Sequence, residues 1–428
     1  MKFSRLAAIA CAALICFLIS GCGDVFRPVA TPLPQPAPDP QNFRLAIFTS
    51  CQISGASSDP NNPCSASVTS QVSDLNVSGD TTEGIVPVGQ APMFALVEVS
   101  AGFVATITTA DYAGDTVTRH NDTHTLTTPV ISSISPATTI GLPQGAKPIS
   151  IADVNGTLYV AEFGRGKLAA IGGSPVALQS EIQVGNGPVN VTALPNSNEL
   201  YVVNQADGTV SVIATADNSL LAVINVGTNP VWAVPSADSS RVFVVNQGSG
   251  NVSVIDATSH TVIATVTVGS SPNYAVFDAK NQRVLVTNSG SNSVSVINGD
   301  PTSPAFKNVT NVNVGSNPRS ITALADGTRI YVANTGSNSV SVINSLNLAV
   351  SKTIPVGTSP VWIAADGESA KVLTANRDSQ DVSVILTSSD SEVTDGSGSP
   401  QRVKAPQVDP NCISSCARLS PLFIAVGG

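Results

Sequence analysis

The sequence is poor in charged residues, in aromatic residues and in histidine. Charged side chains make up 11% of the 428 residues, aromatic side chains 4%, and only three histidines occur. The 20 basic residues are outnumbered by 29 acidic ones and are spread thinly, so the positive surface that nucleic-acid binding needs is missing. Helical periodicity is absent over any useful length, which excludes helical bundles and helical repeats. No phosphate-binding loop, dinucleotide motif or nucleophile elbow occurs in a supporting context.

Long apolar runs are also rare, and one of them stands at the N-terminus. Lys2 and Arg5 precede an apolar run at 6–19, which is too short for a comfortable membrane span. The run ends in Ile-Ser-Gly-Cys, which resembles the cleavage motif of bacterial lipoproteins and implies a lipid on Cys22. We therefore predict that residues 1–21 are a signal peptide. An ordinary signal peptide or an uncleaved anchor is the alternative.

The segment that follows the lipidated cysteine is rich in proline. Six prolines lie within residues 22–41, which predicts an extended, semi-rigid tether between a membrane and a folded body. The residue after Cys22 is Gly23 and not aspartate. By the usual sorting rule, this favours the outer membrane or the cell surface, with a periplasm-facing protein left open.

What the chain has in abundance is one repeated strand ending. It occurs at Tyr201–Asn204, Phe243–Asn246, Leu285–Asn288, Tyr331–Asn334 and Leu373–Asn376. The closing asparagines are 42, 42, 46 and 42 residues apart. Each unit carries four strand signals: a short run after a Val-Gly-x-x-Pro turn, the strand that ends in asparagine, a Val-Ser-Val-Ile strand and a final strand. Four short antiparallel strands in such a unit predict one blade of a β-propeller.

These tetrapeptides, Val-Ser-Val-Ile strands and Val-Gly-x-x-Pro turns resemble the YVTN β-propeller repeat family of bacterial and archaeal surface-layer and exported proteins. The resemblance is strong over 145–389 and weaker before it. It implies an all-β protein with a single β-propeller, which we place at 42–428. The glycine of each Val-Gly-x-x-Pro turn, hereafter the blade-joining turn, is expected to supply a positive φ, and the proline is expected to begin the first strand.

The number of blades follows from where the units open. Full or partial units open at Gly89, Gly145, Gly185, Gly227, Gly269, Gly315 and Gly357. A further unit is split between the chain ends, with three strand signals in 43–88 and the missing first strand at 420–426. Pairing of the two terminal segments would close the ring and leave no open edge. We expect eight blades; seven blades, with 43–80 as an irregular cap, is the alternative.

Four cysteines remain after the signal peptide and Cys22 are set aside. They are Cys51, Cys64, Cys412 and Cys416. An even number in an exported protein predicts two disulfides, and the sequence does not choose among the three possible pairings. All four lie in loops of the shared blade that face one side of the ring, so we expect them either to staple these loops or to join the two chain ends.

Two positions are candidates for ligand contacts in the central channel. The first strand of each blade should line the channel, and Asn273 and Arg319 are the polar residues directly after its proline. Arg319 would hold an anionic ligand, pair with an acid such as Asp326, or point to solvent. Trp232 and Trp362 stand one residue further along their strands and are predicted to pack between blades.

Other candidates lie in loops. Two loops are unusually rich in charge, which makes them candidates for contacting a partner. Their charged residues are Glu162, Arg165, Lys167, Arg377 and Asp378. A merely solvated face is the alternative.

The closing asparagines are interpreted as corner residues that stabilise their own turns, with a polar ring on one face as the alternative. His120 and His124, with Asp122 between them, lie in a strand-and-loop region where their spacing does not converge on a metal.

The sequence therefore favours a non-catalytic, lipid-anchored binding or scaffold module for a protein, glycan or cell-wall partner of the envelope. No cofactor, metal or nucleic acid is predicted, and the oligomeric state is not indicated. The alternative is an enzyme of the propeller lactonase or cyclase type, a fold that the YVTN resemblance shares. Such a site would need Arg319, Arg165, Glu162 and Asp378 to converge at the mouth of the channel.

Overall fold

A computed structural model describes most of the chain beyond its N-terminal segment. The described residues are 45–53, 64–65, 68–76, 81–100, 104–125, 131–195, 197–366, 370–408 and 417–427. They contain 34 strands and no helix, so none of them forms a helix able to cross a bilayer. The predicted signal peptide, the tether at 22–41 and Cys22 lie outside the described residues. Phe43–Gly428 forms one unit, separate from Met1–Asn42.

The strands are short and follow one another closely. In chain order they are β1 (Leu45–Cys51), β2 (Gln71–Asn76), β3 (Thr81–Pro87), β4 (Pro92–Ser100), β5 (Val104–Asp111), β6 (Thr116–Thr125), β7 (Ile131–Ile134), β8 (Thr138–Gly141), β9 (Pro148–Val154), β10 (Thr157–Glu162), β11 (Lys167–Gly172), β12 (Ala177–Gln183), β13 (Pro188–Ala193), β14 (Glu199–Asn204), β15 (Thr209–Ala214), β16 (Leu220–Asn225), β17 (Pro230–Pro235), β18 (Arg241–Asn246), β19 (Asn251–Asp256), β20 (Thr261–Thr267), β21 (Pro272–Asp278), β22 (Arg283–Asn288), β23 (Ser293–Asn298), β24 (Val309–Asn313), β25 (Pro318–Ala323), β26 (Arg329–Asn334), β27 (Ser339–Asn344), β28 (Ala349–Pro355), β29 (Pro360–Ala365), β30 (Lys371–Asn376), β31 (Asp381–Leu386), β32 (Ser391–Glu392), β33 (Val403–Lys404) and β34 (Ser420–Gly427).

The strands form eight antiparallel sheets, which are the blades of a propeller. Blade 1 runs from the inside outwards as β34, β1, β2 and β3, and blades 2 to 8 follow as β4–β8, β9–β12, β13–β16, β17–β20, β21–β24, β25–β28 and β29–β33. The inner strands contact one another in the cyclic order β34, β4, β9, β13, β17, β21, β25, β29 and back to β34. The eight-blade prediction is confirmed, and the seven-blade alternative is wrong.

The two ends of the chain close the ring as predicted. In blade 1, β1 pairs with β2 on one side and with β34 on the other, and Ile47 lies opposite Ala425. The N-terminal segment thus supplies the three outer strands of this blade, and the C-terminal segment supplies the strand that faces the channel. No inner strand of the ring is left without a neighbouring blade.

The core lies between the blades, because each middle strand buries both of its faces. In β14, Leu200 and Val202 pack against blade 3, whereas Tyr201 and Val203 pack against blade 5. Successive side chains of a strand point to opposite faces, so a strand between two neighbours must be apolar at nearly every position. This requirement explains why the repeated strand endings are almost continuously apolar.

The blade-joining turns differ from the prediction in which residue has the positive φ. The positive φ belongs to the residue just before the proline, with φ values of 50° at Asn229 and 52° at Asn317, and not to the turn glycine. The glycine is needed for space, because a Cβ on Gly269 would lie 2.6 Å from Cγ of Asn288. The prediction that glycine supplies the positive φ is therefore wrong. Asparagine adopts this left-handed conformation more readily than most residues.

Candidate functional site

The closing asparagines are structural and do not face solvent. All five are fully buried. In each one the side-chain amide donates hydrogen bonds to the third strand of its blade; Asn288 Nδ2, for example, lies 3.2 Å from Ser293 Oγ and 2.9 Å from Ser295 Oγ. We call this position the corner residue. The corner residues join strands within a blade, so they do not form a polar ring on the surface.

Blade 2 has an aspartate at its corner. Asp111 lies opposite the first-strand proline, in the register that Asn246 has in blade 5. Its carboxylate accepts hydrogen bonds from Thr109 (2.8 Å), Thr116 (3.1 Å) and Thr118 (2.6 Å). Burial raises its pKa to about 7, although these hydroxyl donors favour the charged form.

Blade 3 has a glutamate at its corner, within a cluster of charges. The buried Glu162 lies 3.4 Å from Arg165 Nε, and Glu181 lies 3.1 Å from both Arg165 Nη2 and Lys167 Nζ. Burial, together with the neighbouring Glu181 carboxylate, raises the pKa of Glu162 to about 7. Three residues predicted to contact a partner, Glu162, Arg165 and Lys167, thus balance one another's charge with Glu181, a residue that the sequence analysis did not single out.

The wall of the channel is apolar except at two neighbouring blades. The residues directly after the first-strand proline are Leu422, Met93, Ile149, Val189, Val231, Asn273, Arg319 and Val361 in blades 1 to 8. Asn273 is fixed in the wall, because its Nδ2 donates to the backbone oxygen of Arg319 (3.1 Å) and its Oδ1 accepts from Thr287 (2.9 Å). Arg319 is the one charged residue of this ring.

Arg319 and Arg377 lie in adjacent blades, near the end of the channel that carries the blade-joining turns, here called the upper mouth. Arg319 keeps surface open to solvent but lies against the channel wall, and none of the described acids forms an ion pair with it. Desolvation by the channel wall and the positive charge of Arg377 lower its pKa. Asp326, the predicted alternative partner, instead accepts hydrogen bonds from Thr328. Asp378 pairs with Arg377 at 2.7 Å, so the structure unites candidates that the sequence placed in separate groups.

The adjoining side of the upper mouth, formed by blades 1 to 3, is apolar. Met93, Ile149 and Leu422 pack there with Tyr112 and Phe163. The Cys51–Cys64 disulfide lies in the same cluster. It staples the loop after β1 and does not join the chain ends, while Cys412 and Cys416 lie outside the described residues.

Tyr112 and Phe163 were missed from the sequence. They occupy the same register as Arg377, directly after the corner residue. Their position directly after the corner residue could have identified them. Recognising that position requires the irregular units of blades 2 and 3 to be aligned residue by residue with the regular units.

A cluster of aromatic rings lies one residue deeper along the inner strands. Ring centroids are 4.7 Å apart for Trp232 and Tyr274, 4.9 Å for Tyr274 and Trp362, and 6.5 Å for the two tryptophans. The cluster continues through Phe423, whose ring centroid is 4.3 Å from that of Trp362, to Phe94. Both tryptophans pack against cores between neighbouring blades, as predicted. Because blades 5 and 8 are not adjacent, the contact between the two indole rings lies in the channel, and together these rings form an aromatic floor beneath the upper mouth. Trp232 and Tyr274 also line a cavity of about 350 Å³ on its far side.

The histidines do not form a metal site within the described part of the chain. His120 Nε2 lies 3.3 Å from Asp74, and both side chains are buried between blades 1 and 2. Burial raises the pKa of Asp74, whereas the hydrogen bond from His120 lowers it. No group of three potential ligands is close enough to hold a metal ion among the residues described, which do not include the side chain of His124.

Comparisons with known proteins agree with this architecture. A family model described as YNCE-like beta-propeller matches residues 215–403. None of the curated proteins searched matches the sequence significantly.

Three solved structures illustrate the similarity in fold. Citrobacter koseri AztD has a TM-score of 0.59 at 12% identity, with 90% of this chain and 99% of that chain covered. Dihydro-heme d1 dehydrogenase NirN has a TM-score of 0.60 at 13% identity, with 86% and 74% covered. A putative 6-phosphogluconolactonase from Bacteroides fragilis has a TM-score of 0.52 at 13% identity, with 91% and 99% covered.

These neighbours have different functions, and at such identities they show the fold alone. The family match covers the last strand of blade 4 and blades 5 to 8, and not the whole ring. The strand order, the family match and the structural neighbours together support a β-propeller family for this chain.

Proposed function

We propose that this protein is a non-catalytic binding module of the bacterial envelope, tethered by a lipid on Cys22, that engages a protein, glycan or cell-wall partner at its upper mouth. The observation that carries the proposal is a contrast between two adjacent positions. The corner residue is asparagine in five blades. The next residue, toward the upper face, is Cys51, Tyr112, Phe163, Gln205, Gln247, Ser289, Thr335 or Arg377 in blades 1 to 8; Cys51 and Tyr112 are buried, and the other six are partly exposed.

This contrast distinguishes a position used for packing, the corner residue, from a position available for binding, the residue after it. A residue that holds a blade together recurs because every blade has the same neighbours. A residue that contacts a partner need not recur, since the partner meets each blade differently. The variation gives the mouth a basic side in blades 7 and 8 and an apolar side in blades 1 to 3.

The lactonase or cyclase alternative needs charged residues that meet at the channel. Among the described residues, Glu162 and Arg165 lie in the charge cluster of blade 3, and Asp378 lies with Arg377 near Arg319. No described contact joins the two groups. A binding role is therefore the better supported of the two.

The test uses the folded body, residues 42–428, bound through a C-terminal tag to a solid support. Isolated cell-wall sacculi and a detergent extract of the envelope are passed over the wild type, over Arg319→Ala/Arg377→Ala and over Lys280→Ala. Lys280 is an exposed cation in the turn between β21 and β22, at the opposite end of the channel, and serves as the matched control.

We expect one defined component to be retained by the wild type and by Lys280→Ala, and to be lost from the double variant. Equal retention by all three would contradict a role for the mouth. Hydrolysis of a lactone panel that disappears in Arg319→Ala would instead establish the enzymatic alternative.

A further inference from the structure

We infer that the upper mouth recognises an amphiphile, with one anionic group, a carboxylate or a phosphate ester, held at Arg319 and an apolar body laid against blades 1 to 3. This inference rests on the proposed function, because it specifies the chemistry that the mouth binds.

The charges at the mouth leave one positive charge without a partner. Arg377 and Asp378 form two hydrogen bonds, of 2.7 and 3.1 Å, and Asp378 also accepts from Ser359 Oγ at 2.5 Å. The acid is therefore fully engaged, and the excess positive charge resides on Arg319. A guanidinium offers paired donors that match the oxygens of a carboxylate or a phosphate. An arginine without an acidic partner, placed in the wall of a mostly apolar channel and near the positive charge of Arg377, is most simply neutralised by an anion.

The apolar side of the mouth accounts for the rest of the ligand. Met93, Ile149 and Leu422 are only partly buried, so they keep apolar surface in contact with water. The nearest cation on this side, Lys147, lies over the ring of Tyr112 at 5.3 Å from its centroid. Covering the apolar surface is favourable because it removes that surface from water.

Neither half alone explains the mouth. A small inorganic anion would neutralise Arg319 but leave the apolar surface of blades 1 to 3 exposed to water. A neutral apolar molecule would cover that side and leave the guanidinium unpaired in a partly desolvated place, which is costly. An amphiphile with one negative charge satisfies both sides.

The molecule carries its own reporter for the test. The chain contains two tryptophans, and both belong to the aromatic floor directly beneath the mouth. A ligand that fills the mouth should therefore change the intrinsic tryptophan fluorescence. The probes are decanoate and decyl phosphate, each titrated below its micellar concentration, with 1-decanol as the neutral analogue and acetate and inorganic phosphate as anions without an apolar body.

We expect decanoate or decyl phosphate to bind at least about tenfold more tightly than 1-decanol, as a charge-assisted hydrogen bond would give. Acetate and inorganic phosphate should cause no saturable change. Arg319→Gln should lower the affinity for the anionic amphiphiles to that for 1-decanol, whereas Lys280→Gln should leave it unchanged. The near-ultraviolet circular dichroism of each variant checks that it remains folded.

The inference is overturned if neither amphiphile binds, if inorganic phosphate binds as well as decyl phosphate, or if Arg319→Gln binds as the wild type does. If the double variant Arg319→Ala/Arg377→Ala loses the envelope component but the wild type binds no amphiphile, this inference is wrong and the proposed function still holds. Amphiphile binding with no retained envelope component would instead sink the proposed partner and leave this inference standing.

Discussion

At the scale of single residues, the corner of each blade shows how one buried side chain dictates its neighbours. Asn288 donates two hydrogen bonds to serines of the third strand, and Gly269 is glycine because Asn288 fills the space of a Cβ. In blade 2 the roles are reversed, because Asp111 can only accept and threonines supply the donors. In blade 2 the corner accommodates an acid because its neighbours are donors, whereas in blade 3 Glu162 has no hydrogen-bond donor among the described residues and relies on the charge of Arg165.

The pKa of Asp111 makes this corner sensitive to pH. Its folded-state pKa is raised from an ordinary value of 3.8 to about 7. An acid of this kind contributes stability that is complete below pH 4 and is lost as the pH rises through about 7. We predict that Asp111→Asn, which restores the corner residue of five other blades, raises the free energy of unfolding at pH 8 by roughly 1–4 kcal/mol relative to the wild type.

Urea unfolding of the two proteins at pH 5 and pH 8 measures this difference. At pH 5 the difference in unfolding free energy between the two proteins should be smaller, because Asp111 of the folded wild type is then mostly protonated. Glu162 titrates in the same window and remains in both proteins, so it cancels from the comparison. A variant that is less stable than the wild type at pH 8 would contradict the assigned role of Asp111.

At the scale of strands, neighbouring blades are tied by side chains at the rim as well as by the apolar core. Tyr159 donates to Asn218 of the next blade at 2.9 Å. In blade 7, Tyr331 donates to Asp390 of blade 8, and Arg329 donates to the same carboxylate at 2.6 Å. The second strand of one blade thus holds the turn between the third and fourth strands of the next.

Removing Asp390 should loosen blade 8 from blade 7. We predict that Asp390→Ala lowers the free energy of unfolding by about 1–3 kcal/mol, because two partly buried donors lose their partner. The matched control is Asp395→Ala, which removes an exposed carboxylate that bonds only within its own turn. Thermal unfolding followed by calorimetry compares the three proteins. Equal effects of the two substitutions would show that the tie between the blades contributes nothing.

The strands could be predicted from the sequence, whereas these ties could not. Strand endings such as Phe243–Asn246 repeat locally, so their periodicity identifies them one by one. Tyr331 and Asp390 are 59 residues apart, and their contact depends on the angle between two blades. The same limit applies to the candidate site. Arg319 and Arg377 could each be identified as a candidate, but nothing in the sequence indicated that the charge of one acts on the other.

At the scale of the whole molecule, closure of the ring creates the upper mouth. Blades 7 and 8 supply the basic side, and the irregular blades 1 to 3 supply the apolar side. The two sides face one channel only because β34 lies between β29 and β4. The closure could be predicted, since residues 420–426 repeat the pattern of a first strand. The reason for the turn glycine could not, because the side chain of Asn288 that occupies the place of a Cβ on Gly269 is brought there only by the fold.

The pairing of the chain ends is the claim on which the mouth and its ligand depend. Hydrogen exchange of the folded body, residues 42–428, measured by mass spectrometry, tests it without any substitution. We predict that the amides of β34 that bond to β1 exchange as slowly as those of the regular strand β18. Exchange of the peptide at 420–427 at the rate of an unstructured chain, with β18 still protected, would contradict the closed ring.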